Sequence, residues 1–199
     1  RLILPKETGH NTKVVFYRLM SMAKYIEGDI KGFIEINLNL MEIMESAPHF
    51  LRQEISEYIS VLNNLLIGYG TLEQFEQVLR LLKKLKAVQT VTKDDILKLH
   101  RQYYMNYFSY CIHTGRFEEG IKAFEEHQNF LRKNKSISFL KNTFYFQYFY
   151  LHFGIQRYDE ALGYLNDWLQ LKSNEEREDF QALARVLTLL IHKEMGNIF

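Results

Sequence analysis

Along most of the chain one arrangement of apolar and polar positions keeps returning. Tyr158, Leu162, Leu165 and Leu169 form a single stripe at helical spacing, and Phe75, Leu79, Leu82 and Leu85 form a similar one. Longer and more uniformly apolar stretches, Asp94 to His113 and Phe139 to Phe153, lie between these stripes. A short amphipathic helix followed by a long apolar one is the pattern of antiparallel hairpins. The long, inner helix touches more neighbours than the outer one and therefore needs a broader apolar surface.

The phrase that opens each short helix recurs. GRFEEGIKAFEEH spans Gly115 to His127, and QRYDEALGYLNDW spans Gln156 to Trp168. Their aromatics, Phe117 and Tyr158, stand 41 residues apart; Phe75 lies 42 residues before Phe117, and Ile198 lies 40 after Tyr158. Toward the N-terminus either Ile30 or Phe33 fits the same place. The spacing predicts an all-α chain of about nine helices, four hairpins and one unpaired inner helix. The repeats fall at about 11–47, 50–88, 92–134, 137–171 and 174–199, the last incomplete, within a single domain.

Start and stop signals suit this division. Thr71 with Gln74, Thr92 with Asp95, and Ser173 with Glu176 have capping-box spacing. Gly28 and Gly115 stand where an inner helix should end in a left-handed residue. Outer helices open on acids (Glu118, Glu119; Asp159, Glu160) and close on bases (Lys83, Lys84, Lys86; Arg132, Lys133, Lys135), the order that complements the helix dipole.

Gly115-Arg116-Phe117-Glu118-Glu119-Gly120-Ile121 and Tyr158-Asp159-Glu160-Ala161-Leu162 resemble the turn and second-helix start of a tetratricopeptide repeat. The resemblance implies a right-handed α-solenoid whose inner helices line a concave surface that holds a peptide. Asn106, Ser109, His113, Gln147 and Tyr150 fall on the side of the inner helices away from the Phe108–Cys111 and Phe149–His152 stripes. By the resemblance, these five are the expected partner-binding residues.

Composition narrows the partner. Lys and Arg number 25 against 24 Asp and Glu, so there is no general pull toward nucleic acid or acidic membranes. The basic clusters at Lys83–Lys86 and Arg132–Lys135 are accounted for by the helix dipole. The most apolar run, Phe144 to Phe153, is about half of the ~20 residues a spanning helix needs. A single cysteine, Cys111, rules out an internal disulfide and suits a reducing, cytoplasmic setting.

Catalytic and metal readings are weak. Glu118–Glu119 and Glu125–Glu126 lie on an outer helix, where paired acids are a solvated face. Cys111 and His113, two apart on a helix, point in different directions. The seven histidines show no metal-ligand spacing, and no cofactor or metal is expected.

The chain opens on Arg1 and is read as a piece of a longer protein. Its last inner helix, about Glu175 to Met195, carries Phe180, Leu183, Leu187, Leu190 and Ile191, more apolar surface than one neighbour covers. A further helix, or another copy of the chain, is expected to cover it. The function expected is a non-catalytic scaffold for a protein or peptide partner. The alternative is a peptide- or ligand-sensing regulatory domain controlling an effector elsewhere in the full-length chain.

Overall fold

The computed structural model describes residues 8–134, 143–171 and 178–197, and these are helix and turn with no strand among them. They divide into two compact units, Arg1–Asn106 and Tyr107–Phe199, with the boundary inside one helix.

The first unit holds α1 (His10–Ile26), α2 (Ile30–Glu45), α3 (Pro48–Gln53), α4 (Ile55–Thr71), α5 (Phe75–Lys86) and the first part of α6 (Lys93–His113). Helix α2 packs between α1 and α4, and α4 packs on α5. Its interior is mainly aliphatic: Leu40, Met44, Ile59, Leu62, Leu65, Leu66 and Leu85 are buried. The Glu45 carboxylate ties α2 to its neighbours, accepting a bond from the Tyr58 hydroxyl and pairing with Lys84 Nζ at 2.6 Å.

The second unit holds the end of α6, then α7 (Phe117–Lys133), α8 (Tyr145–Gly154), α9 (Tyr158–Leu169) and α10 (Glu178–Glu194). Each of α7 to α10 packs on the next. The interior here is aromatic. Phe108, Phe144, Tyr148 and Phe149 are buried with His127 and His152. Their rings meet edge-to-face at centroid distances such as 4.9 Å for Phe124–Tyr148 and 5.6 Å for Phe108–His127, the arrangement ring quadrupoles favour.

One turn geometry recurs through both units. Gly28, Glu73, Gly115, Gln156 and Gly196 all have positive φ, between 54° and 75°. Each donates its N–H to the carbonyl three residues back, and the next residue donates to the carbonyl five back, at 2.8–3.3 Å. This paired bond satisfies carbonyls that a helix C-terminus would otherwise leave open. Two residues past the left-handed position the next helix starts, at Ile30, Phe75, Phe117 and Tyr158. The position in the first hairpin equivalent to these aromatics is therefore Ile30, and not Phe33. Phe75, Phe117 and Tyr158 are half-buried beside these turns.

A second recurrence is in volume. Five residues after a left-handed residue and five before the next one, the chain places facing positions. At Phe33–Ile34 facing Gly68, a Cβ on the glycine would lie 2.6 Å from Ile34 Cγ1. At Gly120 facing Leu151, the glycine is on the other helix, and a Cβ there would lie 2.3 Å from Leu151 Cδ2. A bulky residue on one helix needs a small one on its partner, and the two places share the load in opposite senses. Val78 and Ala161, at the same position as Phe33 and Gly120, are buried as well.

Several expectations are corrected. Ten helices stand among the described residues rather than nine, because Pro48 starts the short α3. Proline suits a first helical position, where its missing N–H has no partner to lose. The Thr92–Asp95 box is formed, with Thr92 Oγ1 donating to Asp95 Oδ2 at 2.7 Å and Asp95 N–H returning to Thr92 Oγ1 at 3.1 Å. Thr71 instead ends α4 and donates back to the Ile67 carbonyl at 2.9 Å, so it caps nothing. Ser173 and Glu176, the start of the expected Phe139–Phe153 helix, Lys135 and Ile198 lie outside the described residues. On α10, Leu187 and Ile191 are buried, while Leu183, Val186, Leu189 and Leu190 are exposed. Of the five apolar residues expected to lack cover, Leu187 and Ile191 are therefore already buried, Phe180 is half-buried, and Leu183 and Leu190 remain exposed.

Candidate functional site

The five residues singled out in the sequence are placed as follows. Asn106 is half-buried in the first unit, and its amide donates to Asn63 Oδ1 at 2.8 Å and to the Gln102 carbonyl at 2.7 Å. In the second unit, His113 Nδ1 donates to the Ser109 carbonyl at 2.7 Å, one turn back along α6. Gln147 and Tyr150, three apart on α8, are half-buried, and the Tyr150 ring meets Phe149 edge-on. Phe108, Cys111, Phe149 and His152, on the opposite stripes of these helices, are buried.

The concavity with developed chemistry lies elsewhere, between α1 and α4, with α2 as its floor. Two adjoining hollows share Ser21, Met22 and Asn64. The larger, about 340 Å³, is mostly apolar, walled by Met22, Tyr25 and Ile26 of α1, Phe33 of α2 and Ile67 of α4. The smaller, about 160 Å³, is polar, with Arg18, Asn37, Glu57, Ser60 and Asn64 on its walls. Helical spacing explains the lining: Arg18, Ser21, Met22 and Tyr25 share one face of α1, and Glu57, Ser60, Asn64 and Ile67 share one face of α4.

A chain of hydrogen bonds runs across the floor. Asn37 is fully buried, and its amide donates to Ser21 Oγ and to the Phe33 carbonyl, both at 2.7 Å. Because both N–H groups are committed, Asn37 Oδ1 must be the acceptor facing α4, and Asn64 Nδ2 donates to it at 3.1 Å. The orientation of the Asn64 amide is thereby fixed. Its Oδ1 and its second N–H make no bond within the described residues, and Asn64 lines both hollows. At the polar end, Arg18 Nε pairs with Glu57 Oε1 at 2.8 Å, and Lys98 Nζ donates to the Ser56 carbonyl and hydroxyl at 2.7 and 2.9 Å. Burial lowers the Lys98 pKa, with Glu57 acting in the opposite direction.

Sequence reasoning passed over Asn37 and Asn64. A signal was present: Phe33, Asn37, Leu40 and Met44 make one stripe of α2, and a polar residue inside an apolar stripe calls for a buried partner.

The remaining candidates carry no catalytic geometry. Cys111 is fully buried, and burial, reinforced by Glu119, pushes its thiol up to about 11. A thiol so high is a weak nucleophile at neutral pH. Glu118, Glu119, Glu125 and Glu126 are exposed, and Glu119 pairs with Arg116 at 2.9 Å. Among the described residues no three His, Cys, Asp or Glu side chains group as metal ligands, and no helix is long and apolar enough to cross a membrane. Comparison of the chain with protein-family models, with curated proteins and with solved structures finds no match.

Proposed function

We propose that the protein is a non-catalytic interaction module built from tetratricopeptide-like helical hairpins, which holds a segment of a partner protein against its inner helices. The five matching left-handed turns support the hairpin reading, since they return at intervals of 45, 42, 41 and 40 residues. The widest interval is the one that contains α3. The observation that carries the functional reading is the α1–α4 groove. It combines an open apolar hollow with an amide held in one orientation, whereas an ordinary solvated helix face has neither.

The inner-helix residues Asn106, Ser109, His113, Gln147 and Tyr150 belong to this proposal as further partner contacts. A display selection of random peptides on the intact chain tests it. Enrichment of related sequences that no longer bind after Ile67→Asp, or after Gln147→Ala with Tyr150→Ala, supports the module. Failure to enrich any sequence above a scrambled background overturns it.

A further inference from the structure

The groove between α1 and α4 carries more information than its shape. It runs from Glu57 to Ile67 along α4, ten residues of helix or about 15 Å, the length of four to five residues of extended chain. Its apolar hollow, about 340 Å³, has room for one large side chain. Beside that hollow, Asn64 presents one acceptor and one donor side by side. One residue of an extended chain offers the matching pair, its N–H and its C=O pointing to the same edge of the strand. No aliphatic chain or lipid tail does.

We propose that this groove takes a short extended polypeptide segment, seating one large apolar side chain among Met22, Tyr25, Phe33 and Ile67 and pairing the adjoining backbone with the Asn64 amide. Asn37 acts as a positioning residue, because its two donated bonds decide which end of Asn64 faces the groove. Specificity then divides in two. The hollow selects size and apolarity, and Asn64 selects for a main-chain amide without regard to sequence. Arg18 and Glu57 close the polar end as an ion pair and set no single sign of charge there. This inference rests on the interaction-module reading and commits that reading to one groove.

The test uses blocked pentapeptides with the sequence Ala-Ala-X-Ala-Ala, titrated into the whole chain with isotope-labelled side-chain amides and methyl groups. With X as Leu, Met or Phe, saturable shifts are expected at the Asn64 amide and at the Met22 and Ile67 methyls. With X as Lys or Asp, binding should be about tenfold weaker or more. Methylating the backbone nitrogens that flank X should weaken binding about fivefold, the loss of one hydrogen bond. In Asn64→Leu that sensitivity should vanish while the preference for a large apolar X remains. Ile67→Asp, at an already exposed position, should remove the preference for an apolar X and leave the Asn37–Asn64 bond in place.

Shifts confined to other surfaces, or equal sensitivity to methylation with and without Asn64, overturn the proposal. If peptides are enriched in display but still bind Ile67→Asp, the module stands and this groove is not its site. If nothing is enriched and no pentapeptide shifts Asn64, both readings fall.

Discussion

The two units use the same turns to hold different interiors. The first is filled mainly by aliphatic side chains and crossed by polar ones: Ser21, Asn37 and Asn64 at the groove, Asn63 and Asn106 elsewhere. The second is filled by rings, with Tyr148 at the centre touching Phe108, Phe124, Phe144 and Tyr164. Two histidines join this cluster. His127 Nε2 lies 2.6 Å from the Tyr148 hydroxyl, and His152 Nδ1 donates to the Tyr148 carbonyl at 2.7 Å. The difference lies in how space is filled. Interlocked rings cover one another on every side and bring their polar atoms with them. Short aliphatic chains leave hollows between helices, and those hollows can be lined with amides and opened to a ligand.

The largest test of the contrast is truncation of the central ring. Tyr148→Ala should cost about 3–5 kcal/mol and abolish the near-ultraviolet dichroism of the ring cluster. Tyr148→Phe, which keeps the ring and loses the hydroxyl's contacts with His127 and Gln128, should cost about 1–2 kcal/mol. If the two variants melt together, packing is not what holds the second unit.

In the first unit the corresponding cut is Asn37→Leu, expected to cost about 1–3 kcal/mol through the partner atoms it strands. Ser21 and Asn64 would each lose their partner in this ladder. A variant more stable than the parent would mean that the amide chain is tolerated and not supporting.

Acid should act on both units, and less strongly, since His100 is only half-buried and solvent screens part of its effect. Burial lowers His100 to about 4, and it lowers His152 in the same direction. Each group therefore binds protons more readily in the unfolded chain. Stability is fully present above pH ~6.5 and falls as the pH drops toward 4. Thermal midpoints measured from pH 7 to pH 4 should decline, and His100→Gln should flatten the part of the decline that comes from the first unit.

The smallest expected effect is at the turns. Gln156 holds φ 61° with a side chain that resists that conformation. Gln156→Gly should raise stability by up to about 1 kcal/mol, and Gly115→Ala should lower it by a similar amount. A loss in the first variant would show that the Gln156 side chain has a stabilising role of its own.

Much of this architecture could be read from the chain. The buried stripes of α6 and α8, the left-handed ends at Gly28 and Gly115, and the Thr92–Asp95 box all follow from spacing and residue type. What escaped has physical reasons. Glu73 and Gln156 adopt the glycine conformation because the flanking helices and two backbone bonds impose it, so their side chains gave no warning. Gly154 looks like a misplaced turn residue. In the structure it is helical, and its missing side chain makes room for the Phe117 ring, which a Cβ would meet at 2.3 Å. Helix α3 is only six residues long, too short for a periodic stripe. The groove was missed because Asn37 and Asn64 meet only through the packing of α2 on α4, which the periodicity of either helix does not encode.

The opposed volumes at Phe33–Gly68 and Gly120–Leu151 bear on how such a chain can be duplicated or recombined. Copying the start of α7 into the place of α2 would set glycine against glycine and open a hole where a ring now sits. The reverse exchange would drive a phenyl ring into Leu151. Each junction is keyed to its own partner. Hairpins that look interchangeable by their turns can be shuffled only as whole adjoining pairs, and a library of single-hairpin exchanges should yield folded chains only where both sides of a junction travel together.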